Sequence, residues 1–212
     1  MATEIRSAPS DVRIPPSDAC FETIDRAAED IRRVQRAAVR DNRERLRQGA
    51  EMLSACLSAG CKILVFGNGG SAAQAQHIAG EFVNRFRIAR PPLAALALTA
   101  DSAVLTSIAN DGDFEEVFAQ QVRAFGRRGD VAWGISTSGR SRNVVRACRT
   151  AREQGLATIG MTGRDGPLAD GADLAFTVAS DVTARIQEAH LTLAHILCEL
   201  VERALFPEGV LP

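Results

Sequence analysis

The chain has 212 residues, 46% of them hydrophobic and 24% charged, with a formal net charge of −1 at pH 7. This is the make-up of an ordinary globular protein long enough to bury a substantial core. It excludes a global field that would draw in nucleic acid or an anionic membrane, so any anion site must be local.

Residues 1–18 are polar and contain Pro9, Pro15 and Pro16. They read as a flexible extension, and 19–212 as a single domain. Within 19–59 two helices are predicted. Ile24, Ala27, Ile31, Val34 and Ala38 recur at helical spacing, as do Leu46, Ala50, Leu53 and Leu57, and Gly60 ends the second. From 62 onward short apolar runs alternate with helical patterns. The predicted strands are Ile63–Phe66, Leu93–Leu98, Val131–Ile135, Ala157–Met161 and Leu174–Val178. The predicted helices are 71–87, 101–109, 112–126, 141–154 and 184–205. Such alternation predicts an α/β fold: a three-layer sandwich with a five-stranded parallel sheet, flavodoxin-like or Rossmann-like, plus the N-terminal helices. The basic stretch RSRNVVRACRTAR reads as a solvated helix face.

No apolar run approaches the roughly 20 residues that span a bilayer. The start, MATEIRSAPSDVR, lacks a signal-peptide core. Cys20, Cys56, Cys61, Cys148 and Cys198 show neither a CxxC pair nor a disulfide framework. Free thiols and a cytoplasmic location are expected.

Parallel sheets bind ligands beyond the carboxyl ends of their strands, so the loops that follow strands are the places to look. The first is Gly67-Asn68-Gly69-Gly70-Ser71. Its glycines let the backbone approach a ligand, and Ser71 can cap the next helix. A plain turn would serve too, but three glycines and an Asn favour a ligand. Gly67, Gly69 and Ala72 also satisfy G-x-G-x-x-A, yet the ribose-binding acid about 20 positions on is missing. The second loop is Ser136-Thr137-Ser138-Gly139-Arg140-Ser141. Hydroxyls and backbone N–H groups at a helix start can cradle phosphate with little net charge. No GK[ST] follows, which excludes a nucleoside-triphosphate P-loop. The third, Ala109–Asp113, reads as an ordinary Asn-Asp-Gly turn.

There are three histidines. His77 and Glu81 lie four residues apart on one predicted helix and share a face. That pair suits a divalent cation taking N and O ligands. Further ligands must come from elsewhere, and the last helix holds the other histidines. His190 is expected to be partly exposed there. His195, among Leu191, Leu193, Ile196 and Leu197, is expected to be buried and hydrogen-bonded, or to join the metal.

Taken together, GNGGSAAQAQHIAGEF, AND, GISTSGRS and RIQEAHLTLAH resemble the sedoheptulose 7-phosphate (phosphoheptose) isomerases of the SIS, or sugar isomerase, fold. The resemblance spans about 20–205. It implies conversion of D-sedoheptulose 7-phosphate to D-glycero-D-manno-heptose 7-phosphate through an enediol(ate). This opens the route to nucleotide-activated heptose for lipopolysaccharide or capsule. It also implies a homotetramer with active sites between subunits and one Zn²⁺ per subunit, held by His77, Glu81, Gln187 and His195. Substrate contacts would be Asn68, Gly69, Gly70, Ser71, Glu81, Asn110, Asp111, Ser136, Thr137, Ser138, Ser141 and Gln187. The resemblance thereby overrides the plain-turn reading of Asn110 and Asp111. Ala184 stands where some relatives carry an aspartate.

Gln187 and His195 are about 12 Å apart along a regular helix and differ by roughly 80° in direction, while Glu188 lies nearer the face of His195. As a mechanism, Glu81 moves the carbon proton and His195 the oxygen protons, and as a metal ligand Glu81 becomes a poorer base. The rivals are a non-catalytic SIS protein that binds a protein partner such as a replication initiator, a dinucleotide oxidoreductase, and a sugar-phosphate-sensing regulator. The last would need a DNA-binding segment, and none is visible.

Overall fold

The computed structural model describes residues 16–209. The first two elements are the helices α1 (Ser17–Asp41) and α2 (Arg43–Ser58). Then follow β1 (Ile63–Gly67), α3 (Gly70–Val83), β2 (Ala95–Ala97), α4 (Ser102–Asp111) and α5 (Ala119–Phe125). The chain continues with β3 (Val131–Ser136), α6 (Arg142–Glu153), β4 (Ala157–Thr162), α7 (Pro167–Gly171), β5 (Leu174–Thr177) and α8 (Thr183–Leu205). The five strands form one parallel sheet in the order β2-β1-β3-β4-β5.

The apolar runs become strands because both faces of the sheet are covered. Every residue of β1 and of β3 is buried. Successive side chains point to opposite faces. Ile63, Val65, Trp133, Ile135, Ile159 and Met161 therefore join a core shared with α1, α2, α3 and α8. Leu64, Phe66 and Ala132 face the other way, against α5 and α6. This is the expected three-layer sandwich. Asn42, between α1 and α2, ties that helix pair to the sheet edge. Its amide donates to the Ala38 and Thr177 carbonyls, both at 2.8 Å, and its oxygen accepts from Thr177 N at 3.2 Å.

Several boundaries differ from expectation. Ser17 and Asp18 are helical, and residues 1–15 of the expected extension lie outside the described residues. The predicted helix 71–87 stops at Val83, because the next stretch is drawn onto Glu202. The predicted strand 93–98 shrinks to Ala95–Ala97: the Leu93 N–H is taken by Phe82 O, and the Leu98 N–H bonds Val65 O at the strand's end. The predicted helix 112–126 divides into a 3-10 turn, Phe114–Glu116, and α5. Asp113 caps that turn by accepting from Glu115 N, while Val117 and Phe118 turn into the core. Helix α7 was not expected; Pro167 starts it. Two arginines of α6 pair with acids on the preceding 3-10 turn, Arg142 with Glu115 at 3.0 Å and Arg146 with Glu116. No helix among the described residues is long and apolar enough to cross a membrane, and all five cysteines are unpaired.

Candidate active site

In the order β2-β1-β3-β4-β5 the chain turns one way from β1 and the other way from β3, so a crevice opens between their carboxyl ends. Gly67 pairs with Ile135 across it. The Gly67–Ser71 and Ser136–Ser141 loops, singled out above, are therefore its two walls. Gly67 must be glycine, since a Cβ there would sit 2.8 Å from the Ile135 carbonyl oxygen. Gly69 has φ +55 and starts α3 as its cap. Ser71 lies inside the helix and is buried, so it is not the cap expected. The Asn68 and Asn143 side chains hydrogen-bond each other reciprocally at 2.8 and 2.9 Å and lock the first wall to α6.

In the second wall Ser136 Oγ donates to Ser141 Oγ at 2.9 Å and lies 3.4 Å from Ser138 Oγ, which accepts from Arg140 N. Ser141 precedes α6 without capping it through its side chain. The Thr137 carbonyl holds Gly163 N at 3.0 Å. Gly139 is at φ +65, packed so closely on Thr162 that a Cβ would collide with its hydroxyl. The result is a rigid hydroxyl-rich rim at a helix start.

The second part of the site is the junction of α3 and α8. On α3, Ala75, Ile78 and Phe82 enter the core. His77 and Glu81 stand beside that strip, with side chains 45% and 20% exposed. His77 Nε2 lies 2.8 Å from His195 Nε2 and 3.2 Å from Glu81 Oε1. One donor atom from each of the three lies within 4.8 Å of the others. Two imidazole nitrogens and a carboxylate oxygen converging on one half-exposed point fit a divalent cation with N and O ligands. The Phe86 ring packs on His195, centroids 5.3 Å apart. Burial, and then the neighbouring His77, push the His195 imidazole below the usual histidine range, with Glu81 opposing. The shift favours the neutral imidazole, the form that binds metal or accepts a proton.

The fourth expected ligand, Gln187, lies where α8 meets the start of α3. The Gln187 side chain lies over Gly70, where a Cβ would strike its amide, and the Gln187 backbone carbonyl accepts from Gln74 Nε2 at 2.6 Å. Helices α3 and α8 run in the same direction, so Gln187 meets the start of α3 and His195 meets its end. Gly70 is about 10 Å from His77 along the helix. Gln187 therefore sits at the crevice end of α3. His190, expected to be partly exposed, is buried with Nε2 3.0 Å from the Thr162 carbonyl. Asn110 and Asp111 end α4 rather than forming a free turn; both are exposed and hydrogen-bond each other at 2.8 Å. Sequence reasoning missed Phe86, Arg90 and Glu202, and no local motif marks them.

A family model described as the SIS domain matches residues 28–163, and the fold and loop walls above define the same class: this is a SIS-domain protein. Within that class the chain belongs to the phosphoheptose isomerase family. The phosphoheptose isomerase of Thermodesulfovibrio yellowstonii is 55% identical over 168 residues, covering 79% of this chain and 84% of its own. That of Geobacter sulfurreducens is 54% identical over 164 residues, covering 77% and 87%. The solved phosphoheptose isomerase of Neisseria gonorrhoeae superposes with a TM-score of 0.82 at 42% identity, over 86% of this chain and 98% of that one.

Proposed function

We propose that residues 19–212 act as one SIS domain that isomerises D-sedoheptulose 7-phosphate to D-glycero-D-manno-heptose 7-phosphate. The observation that carries this is the convergence of His77, Glu81 and His195 at one end of α3 while the hydroxyl-rich crevice lies at the other. The roughly 10 Å between Gly70 and His77 suits an open seven-carbon chain with a terminal phosphate. A protein that only binds a partner has no use for three converged donors.

In this reading Ser136, Thr137, Ser138 and Ser141, with the N–H groups at the start of α6, take the phosphate. Asn68, Gly69, Gly70, Ser71 and Gln187 line the sugar, and Asn110 and Asp111 reach it from α4. Glu81 removes a proton from C1 and returns it to C2, and His195 moves protons between O1 and O2. Zn²⁺, held by His77, Glu81, Gln187 and His195, would polarise the carbonyl oxygen.

The assembly proposed is a homotetramer with sites between subunits. An apolar groove between α1, α2 and α8, lined by Val39, Leu46, Ala50, Ile196 and Leu200, supports it, as do exposed Phe21 and Ile24. The cytoplasm is the proposed location, supported by five unpaired cysteines. The product would feed nucleotide-activated heptose for lipopolysaccharide or capsule. The deciding experiment is a coupled assay on sedoheptulose 7-phosphate with and without a chelator. Turnover lost on chelation and restored by Zn²⁺ is expected; turnover insensitive to metal removal would sink the metal part of the reading.

A further inference from the structure

Behind the triad lies a buried ion pair that the proposed chemistry does not use. Arg90 Nε and Glu202 Oε1 meet at 2.8 Å, with side chains 1% and 3% exposed. Burying two charges is unfavourable unless nearly every donor and lone pair is satisfied. Here they are. Glu202 also accepts from the backbone N–H groups of Phe86 and Arg87, each at 2.9 Å, and of Ile88 at 3.3 Å. Burial alone would raise its carboxyl, but the N–H groups of Arg87 and Phe86 and the Arg90 guanidinium together hold it below the usual range. Arg90 sends its remaining N–H groups to the carbonyls of Glu81 at 2.7 Å, Phe82 at 2.8 Å and Pro91 at 3.1 Å.

Several of these bonds end on elements that carry the triad. Arg90 grips the peptide carbonyl of Glu81 itself. Glu202 follows His195 by about two turns on the same helix. The segment they fold, 84–90, carries Phe86 against the His195 ring. One buried pair therefore braces α3 at Glu81, α8 beyond His195, and the aromatic wall of that imidazole. We infer that Arg90 and Glu202 are positioning residues that set the spacing at which Glu81 and His195 present their donor atoms to a divalent cation. The inference rests on the metal reading above.

A second pair, with the Lys62 side chain 28% and the Asp130 side chain 3% exposed, provides the control for plain stability. Lys62 Nζ and Asp130 Oδ2 meet at 2.6 Å, and Asp130 also accepts from the Lys62 and Arg127 N–H groups. This pair lies at the amino ends of β1 and β3, the far side of the sheet from the crevice. The test uses the full-length protein stripped of metal, as wild type and as Glu202→Gln, Arg90→Lys and Asp130→Asn. Its readouts are Co²⁺ and Zn²⁺ affinity by chelator competition, the visible spectrum of the Co²⁺ form, melting temperature, and kcat against KM.

Glu202→Gln is expected to weaken metal binding on the order of 10- to 100-fold. It should also shift the Co²⁺ bands and lower kcat more than it changes KM. Arg90→Lys, which keeps the charge but reaches fewer carbonyls, should fall between. Asp130→Asn should lower the melting temperature yet leave affinity and bands at wild type. Wild-type affinity and bands in both Glu202→Gln and Arg90→Lys would overturn the inference, as would an equal loss in Asp130→Asn. If Glu202→Gln fails to fold, Arg90→Lys decides by the same criteria. Wild-type protein that takes up neither metal would overturn the metal reading itself, and this inference with it.

Discussion

The crevice between β1 and β3 and the junction of α3 and α8, two ends of the proposed site, are built in opposite ways. The crevice walls are contiguous loops whose shape comes from glycine backbone freedom and short-range hydroxyl contacts, such as Ser136 with Ser141. The junction is made of side chains 118 positions apart, His77 and His195, brought together only because two helices share a core. Binding a phosphate needs many modest donors, which a local loop supplies. Proton transfer and metal binding need a few groups in a narrow geometry, which only packed elements hold. The two ends should therefore fail differently.

The largest effect is expected at the junction. Glu81→Gln and His195→Gln should each cut turnover on the order of 10²- to 10⁴-fold in the coupled assay. Both side chains are partly exposed, so melting temperatures should stay close to wild type. Loss of fold together with activity would show that the junction is structural.

His190, on the same helix, sharpens the contrast. Burial pushes its imidazole from 6.5 down to about 4, against the opposing bond to Thr162 O. The unfolded chain protonates near 6.5, so the folded state binds fewer protons between the two values. Stability from this group is complete above about 6.5 and is lost as pH falls towards 4, by about 3 kcal/mol in all. His190→Gln should flatten that part of the stability curve in denaturant titrations from pH 7 to 4. An unchanged slope would mean that the imidazole is not neutral and buried.

At the crevice, Ser136→Ala and Ser138→Ala should raise KM for the phosphosugar roughly 10- to 100-fold, the value of a hydrogen bond to a charged group. Their kcat should change little, the reverse of the junction variants. An unchanged KM would place the phosphate elsewhere.

The smallest effect tests the link between the two ends. Gly70→Ala would displace the Gln187 amide, the movable tip of a side chain, and so should barely alter stability. Turnover should drop by up to about tenfold as Gln187 loses its seat. Wild-type kinetics in this variant would remove Gln187 from the sugar site.

Much of this was legible from the residues alone. The strands β1, β3, β4 and β5 stood out because a sheet covered on both faces demands continuous apolar runs. The crevice loops stood out because glycine and hydroxyl clusters have few other uses. The turn at Phe114–Glu116 escaped notice because Asp113 caps it inside an otherwise helical pattern. Helix α7 was too short to show a period. Residues 84–87 read as helix continuation until Glu202, more than 110 positions later, takes the N–H groups of Phe86 and Arg87.

Local pattern thus determined the layers, the strand succession, the phosphate-type loop and the His77–Glu81 pair, because each depends on neighbours within a few positions. Tertiary packing alone decided that His195 completes the pair, that Gln187 rests on Gly70, that His190 is buried, and that Arg90 and Glu202 brace the junction. Those arrangements depend on how α8 lies along α3, and that is set by a core assembled from the whole length of the chain.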